Sequence, residues 1–365
     1  MSDKLIYDKP TVTPSHRTLE MCFLGDISLN GNYEKLYDTG MTPFSAIGEA
    51  LDKSFVVGNL ECFSRGNQGV NENKKPRLET SVETLNYVRD FHLNVACLAN
   101  NHVFDHLEDG FLKTMSFLQQ NNIDSIGASL GPDHRRPLIL EKQGVEIGLL
   151  NYVTSDTNPN PPSDTDIKVN TFELENIVHD IKNLKDQVNH VVLCLHWGGR
   201  VEGGMYPDWD QPKTARILID EGADLVIGHH SHTAQPYEVY KGKYIFYSLG
   251  NFCFSDYWFE GKLHVNSRRR MITTIVTVKF NQNNYTLNTS YYKNKNGYYY
   301  KIDSYKNIIR LRNLIFKLLK NIKPLWGIYY LSKLYILPVL LFLQRGDITM
   351  GDKLKRLIYA SKKRI

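Results

Sequence analysis

Five times in this chain a short apolar run ends abruptly in polar residues that carry nitrogen or oxygen lone pairs. FLG precedes Asp26, VVG precedes Asn59-Leu60-Glu61, CLA precedes Asn100-Asn101-His102, LCL precedes His196-Trp197-Gly198, and VIG precedes His229-His230-Ser231-His232. Apolar runs of this length bounded by turn residues read as strands buried on both faces. They place candidate strands at 19–24, 55–57, 95–98, 123–126, 145–150, 191–195, 224–227 and 244–247. Helix-period segments lie between them at about 43–52, 81–91, 108–121, 171–187 and 212–221, each opened by Thr, Ser, Asp or Pro. The alternation predicts an α/β fold. Lys142-Gln143-Gly144 and Lys241-Gly242-Lys243 look like hairpin turns, so the sheets should be mixed. In an open α/β sheet the loops beyond the carboxyl ends of the strands converge on one crevice, so the five polar clusters should face one another.

With 365 residues the chain can bury a large core without staples, and 23% charged with 42% hydrophobic residues excludes a mainly disordered chain and a polytopic membrane protein. The odd set of five cysteines, three inside apolar runs, reads as buried thiols of a reduced compartment. The first twenty residues lack the apolar core of a secretory signal, which gives a cytoplasmic expectation. Residues 271–292 alternate with period two around an Asn-rich turn and should form a closing hairpin; the seven tyrosines from 285 to 305 suit strand packing better than sugar stacking. Loops 66–77 and 155–166 are long enough to be lids or substrate loops.

The clusters offer Asp, Asn, Glu and His but no thiolate, a donor set that suits divalent Mn²⁺, Zn²⁺ or Fe, as one ion or two. Singly, Asp26 could cap a turn, His102 could belong to an Asn turn and His196 could be a hydrogen-bonded histidine in a packed end. Glu61 is harder to dismiss, because a carboxylate directly behind a buried strand must be solvated or paired. Three histidines within residues 229–232 are hard to explain by packing.

The segments FLGDISL, VGNLE, LANNHVFD, HWG followed by Glu202 and Tyr206-Pro207, EGADLVIGHHSHTAQPYE and YSLGNFCF resemble, in order, the signatures of the CapA capsule-synthesis (poly-γ-glutamate biosynthesis) family of the calcineurin-like metallophosphoesterase superfamily. The resemblance spans about residues 18–256. It implies a four-layer sandwich of two mixed β-sheets flanked by helices, with a two-metal site at one edge. It also implies metal ligands at Asp26, Asn101, His196, His230 and His232, and a general acid at His102. Two positions depart from the superfamily pattern: Ser28 stands where a second ligand is usual, and the bridging Asp has no exact counterpart. Glu61 is favoured for that role over Asn59, because a charged oxygen bridges cations better than an amide. The extra His229 leaves the register of the last motif open by one residue.

These readings predict a metallophosphoesterase-like domain over about 15–295 and a basic helical tail over 305–365. The expected activity is metal-dependent hydrolysis, most directly of a phosphoester, within capsule or poly-γ-glutamate-like polymer biosynthesis. The alternative is a non-catalytic metal-binding accessory that organises a polymer synthase at the membrane. Arg65, Arg77 and Arg200 lie near loops and could clamp phosphate or carboxylate. Residues 305–365 hold fourteen Lys/Arg against two acids, a charge of +12, so residues 1–304 carry −7 of the net +5. Within the tail, Ile308, Leu311, Ile315, Leu318 and Ile322 recur at helical spacing, with Lys306, Arg310, Asn313, Lys317 and Lys320 expected on the other side. The run 325–343 contains one charge, Lys333, and Pro338. Residues 306–345 therefore suit an interfacial seat on an anionic membrane at its cytoplasmic side better than a span, with packing of the helix on the body or in a dimer as the alternative. Nucleic acid is disfavoured, because the charges interleave with long aliphatics.

Overall fold

The computed structural model describes residues 18–336 apart from 260, 261 and 296, together with residue 351. The first three residues of the expected 15–295 domain, and the tail beyond 336 except residue 351, lie outside the described residues.

Two mixed sheets stack face to face. In the first, Leu19–Ser28 is central: Phe55–Leu60, Leu93–Cys97 and Asp124–Ile126 continue from it in parallel on one side. Ile272–Phe280, Tyr285–Lys295 and Tyr298–Lys301 continue antiparallel on the other. In the second sheet, Val145–Val153, His190–His196, Leu225–His229 and Lys243–Phe246 run parallel, and antiparallel Leu138–Lys142 and Tyr237–Tyr240 close its edges. Both edge strands arise from the two predicted hairpins. At each turn two successive residues take positive φ (Gln143 56° and Gly144 75°, Lys241 49° and Gly242 78°), the sense of twist that two-residue hairpins need.

The inner faces meet in a dry layer that includes Met21, Phe23, Val95, Ile147, Val192, Ile227 and Val276. Leu107–Gln120 and shorter helices cover the outside of the first sheet through Phe111, Phe117 and Leu118. Leu174–Lys185 and Gln211–Asp220 cover the second through Ile177, Ile181, Ala215 and Leu218. Helix, sheet, sheet and helix make the four expected layers. All five cysteines are free and buried.

The structure departs from the sequence reading in three places. Pro212 stands in the first turn of Gln211–Asp220 as expected, but none of the helices at the predicted positions has a side-chain hydrogen bond at its N-cap, so the other opening residues do not act as caps; packing of their apolar faces fixes where they start. Segment 81–91 is a 3₁₀ turn, Thr84–Asn86, followed by the short helix Tyr87–Asp90. In the tail, helix Tyr305–Leu319 buries Tyr305, Ile309, Phe316 and Leu319, while Ile308, Leu311, Ile315 and Leu318 face outward. Asn313 and Lys320, expected on the solvent side, bond the body: Tyr237 N donates to Asn313 Oδ1 at 3.1 Å, and Lys320 Nζ lies 2.9 Å from Glu238.

Candidate metal centre

The strand ends of both sheets converge on one edge. Register carries Asp26 beside Asn59 and Asn251 in the first sheet, and His196 beside His229 in the second. Asp26 reaches this edge because Gly25 lies against the backbone that leads into strand Asn251–Phe254: a Cβ there would sit 1.9 Å from Gly250 O, so no larger residue fits. Asp26 N donates to the same oxygen at 2.9 Å. Gly228 is equally confined, its missing Cβ 2.0 Å from Tyr247 O. Beyond it the chain turns through His230 and His232 with φ of 85° and 56°, left-handed conformations that are strained for histidine and aim both rings into the edge.

All nine residues singled out from the sequence, Asp26, Asn59, Glu61, Asn101, His102, His196, His229, His230 and His232, are buried here. Asn59 Nδ2 donates to Asp26 Oδ1 at 2.8 Å and lies 3.2 Å from His196 Nδ1. His196 Nε2 is 2.8 Å from Asn101 Oδ1 and 3.1 Å from His230 Nδ1. His232 Nδ1 sits 2.8 Å from Asn251 Oδ1 and 3.2 Å from Asp26 Oδ2. His229 points instead to the inner side of Asp26, its Nδ1 3.4 Å from Oδ1.

Glu61 stands apart from this network. Its side chain is fully buried, and neither carboxylate oxygen has a hydrogen-bond partner. Oε1 faces His232 Nε2 at 3.6 Å, His102 Nε2 at 3.8 Å and His196 Nε2 at 3.9 Å. One donor atom each from Glu61, His230 and His232 lies within 4.8 Å of the others. Such a buried, unpartnered carboxylate ringed by imidazoles fits a divalent cation, which would supply the missing partner.

Burial and neighbouring charges set the protonation of these groups in the metal-free protein. Burial pushes the Glu61 carboxyl up to about 8, with Asp26 and Glu202 adding to the effect. Burial drives His230 down to about 4 and holds His196 well below its ordinary value, so both rings are neutral with lone pairs to offer. Burial also opposes charge on His232, yet Glu61 and Asp26 outweigh it and raise His232 to about 9. For Asp26, the hydrogen bonds from His229 and His232 overcome its burial and hold it well below the carboxylate range.

His102 is held differently. Its Nδ1 lies 2.6 Å from Asp105 Oδ2, which also accepts from Leu78 N at 2.7 Å, leaving Nε2 directed towards Glu61. Asp105 follows His102 at i+3 in NNHVFD, a spacing readable in the sequence. Ser28, at the position of the usual second ligand, instead donates its hydroxyl to Asn30 Oδ1 at 3.0 Å.

The mouth of the site is built by the two long loops. Asn71 Nδ2 donates to Asn160 O at 2.8 Å, Lys74 Nζ to Asn158 O at 2.7 Å, and Asn160 Nδ2 to Asn73 O at 3.2 Å, joining the loops to each other. The cleft beneath is lined by Lys74, Asn101, His102, Glu202, His230, His232, Tyr257 and Arg270. Arg270 pairs with Glu202 at 2.6 Å, and His232 and Arg270 hold this half-exposed carboxyl below its ordinary value. The three arginines proposed from the sequence lie elsewhere: Arg65 pairs with Glu34, Arg200 with Asp210, and Arg77 with Glu72 and the backbone of its own loop. Lys74 and Arg270 occupy the cleft in their place. No local pattern marked them.

Two mixed sheets stacked between helices, with strand ends that meet in a buried cluster of histidine, asparagine and carboxylate, make a metallophosphoesterase-like fold. Residues 20–256 match the family of the bacterial capsule synthesis protein PGA_cap, and the chain belongs to that family. It is 29% identical over 252 residues to the PGA biosynthesis protein CapA of Bacillus subtilis, a match covering 67% of this chain and 66% of that protein. It is 27% identical over 267 residues to the capsule biosynthesis protein CapA of Bacillus anthracis, covering 69% and 64%. The chain thus spans just under two thirds of the length of these relatives. Among solved structures, a phosphatase of Mycoplasma pneumoniae aligns over 77% of this chain and 96% of its own with a TM-score of 0.48 and 10% identity.

Proposed function

We propose that this protein is a divalent-metal-dependent hydrolase of anionic esters, most directly phosphoesters, that acts in the making of a capsule or poly-γ-glutamate-like polymer. One observation carries the reading: the Glu61 carboxylate, fully buried and without a protein partner, at the centre of four imidazoles. Glu61, His230 and His232 would hold one cation, and Asp26, Asn101 and His196 supply donors for a second. The all-nitrogen-and-oxygen set favours Mn²⁺, with Zn²⁺ or Fe compatible. When bound, the metal supplies Lewis acidity towards a phosphoryl oxygen and towards water.

The chain's own groups do the rest. Lys74 and Arg270 place positive charge along the cleft and favour an anionic substrate group. The joined loops 66–77 and 155–166 cover the mouth and limit water around it. His102, its Nδ1 fixed by Asp105, presents Nε2 to the cleft and donates a proton there to the leaving alkoxide, and Asp105 steadies the imidazolium before that transfer.

The test is turnover of an aryl phosphate and a phosphodiester panel with Mn²⁺. Activity should vanish with chelator, and His102→Ala should lower turnover by roughly 10²–10⁴-fold while metal stays bound. Metal retained with no turnover across the panel would leave the accessory reading, a metal-binding organiser of a polymer synthase.

A further inference from the structure

The C-terminal helices Tyr305–Leu319 and Lys323–Leu331 are apolar on two sides, and the body uses only one. Ile309, Phe316, Leu319 and Trp326 face the core. Polar bonds lock the pair in place: Arg312 Nη1 donates to Ala234 O at 2.9 Å, Trp209 N to the Tyr330 hydroxyl at 3.0 Å, and Lys333 Nζ to Gly203 O at 3.0 Å. The opposite side leaves Leu311, Leu314, Leu318 and Ile328 58%, 64%, 60% and 62% exposed, continued by Ile308 and Leu331. A contiguous row of large aliphatics on an outer face marks an interaction surface.

The charges around that row select its occupant. Residues 305–336 contain seven Lys/Arg and no acid, and Lys306, Arg310, Lys317 and Lys323 are exposed beside the aliphatics. A second copy would set this face against its own positive charge. Residues 337–365 carry seven Lys/Arg against two acids, so their charge does not complement this face either. Among the described residues no helix is long and apolar enough to cross a membrane, so the apolar row meets a bilayer from the side. We propose that the outer face of the two helices docks in the plane of an anionic phospholipid surface, aliphatics at the acyl boundary and lysines and arginines at the phosphate level. This inference does not depend on the hydrolase reading. Tyr329 in the second helix accepts from Tyr206 N at 3.3 Å, and Lys333 just beyond it donates to Gly203 O, so the docked unit holds the loop that carries Glu202 at the cleft.

The experiment is co-sedimentation of the metal-free full-length protein with phosphatidylcholine vesicles, with and without phosphatidylglycerol, at low salt and at about 0.5 M salt. Wild type should partition at least about tenfold better onto the anionic vesicles and lose most of that binding in high salt. The double variant Leu311→Glu/Leu318→Glu, and separately Ile328→Glu on the second helix, should lower partitioning by about tenfold or more. Ile139→Glu, an exposed aliphatic on a distant edge strand, should bind as wild type. Circular dichroism checks the fold of each variant. The proposal is overturned if wild type stays in solution at low salt, or if the helix variants bind as well as wild type. It is equally overturned if wild type ignores vesicles but is a dimer that Leu311→Glu/Leu318→Glu converts to monomer, which would make a second copy the occupant.

Discussion

Glu61→Gln separates a metal ligand from a structural carboxylate, because it should act in opposite directions with and without the cation. In the metal-free protein an acid that titrates near 4.5 in solution is pushed to about 8 by burial. An acid raised on folding costs nothing below about pH 4.5, costs progressively more between there and pH 8, and a constant amount above; at pH 7 the penalty is about 3 kcal/mol. Part of this returns through His232, whose raised value of about 9 depends on the Glu61 charge. Glutamine keeps the shape, cannot ionise, and leaves its own amide unpaired, so the net gain of the metal-free variant is about 1–2 kcal/mol, or about 1–3 °C in Tm for a chain of this length. With cation present the order should reverse. A ligand at about 100 times its Kd stabilises the wild type by about 2.7 kcal/mol, and the variant forfeits most of that. Thermal melts in EDTA and in excess Mn²⁺, run from pH 5 to 8, read both effects. The metal-free difference should shrink towards pH 5. If Glu61→Gln melts below wild type in EDTA across this range, Glu61 is not a strained carboxylate; if both proteins gain equally from Mn²⁺, it is not a ligand.

Two further substitutions probe the site's supports. Burial lowers His102 and Asp105 opposes that lowering, so Asp105→Asn should depress His102 further; a general acid works below its pKa, so the alkaline limb of the kcat profile should move to lower pH and turnover at neutral pH should fall about tenfold or more, whereas an unmoved limb would deny Asp105 its positioning role. Gly25→Ala drives a methyl into the backbone oxygen of Gly250 and should cost about 3 kcal/mol or more in denaturant midpoint, with weakened metal uptake by elemental analysis; a stability change under about 1 kcal/mol would mean that this strand crossing yields easily.

The positions of the main strands along the chain, and the polar residues that end them, could be read locally because burial writes them locally. A strand covered on both faces must be apolar throughout, and it can become polar only where it leaves the core, so the residues at FLG-Asp26 or VIG-His229 mark the edge of the sheet without knowledge of the partners. The hairpins at Gly144 and Gly242 are local for a similar reason, since two successive positive φ angles demand particular residues. Tertiary structure alone decided what faces what. Asn251–Phe254 pairs in parallel with Leu19–Ser28 across more than two hundred residues, and that pairing brings Asn251 to His232. Lys74 and Arg270 reach the cleft from separate parts of the chain, while Arg65, Arg77 and Arg200, equal to them by composition and loop position, turn to acids or backbone nearby. The tail makes the same point: its first helix offers two apolar faces, and periodicity identified the one that remains outside. Helical spacing reports which side chains share a face, but the choice between two such faces rests on shape and on bonds such as Arg312 to Ala234 and Lys320 to Glu238, whose partners lie tens of residues away in sequence and adjacent only after folding.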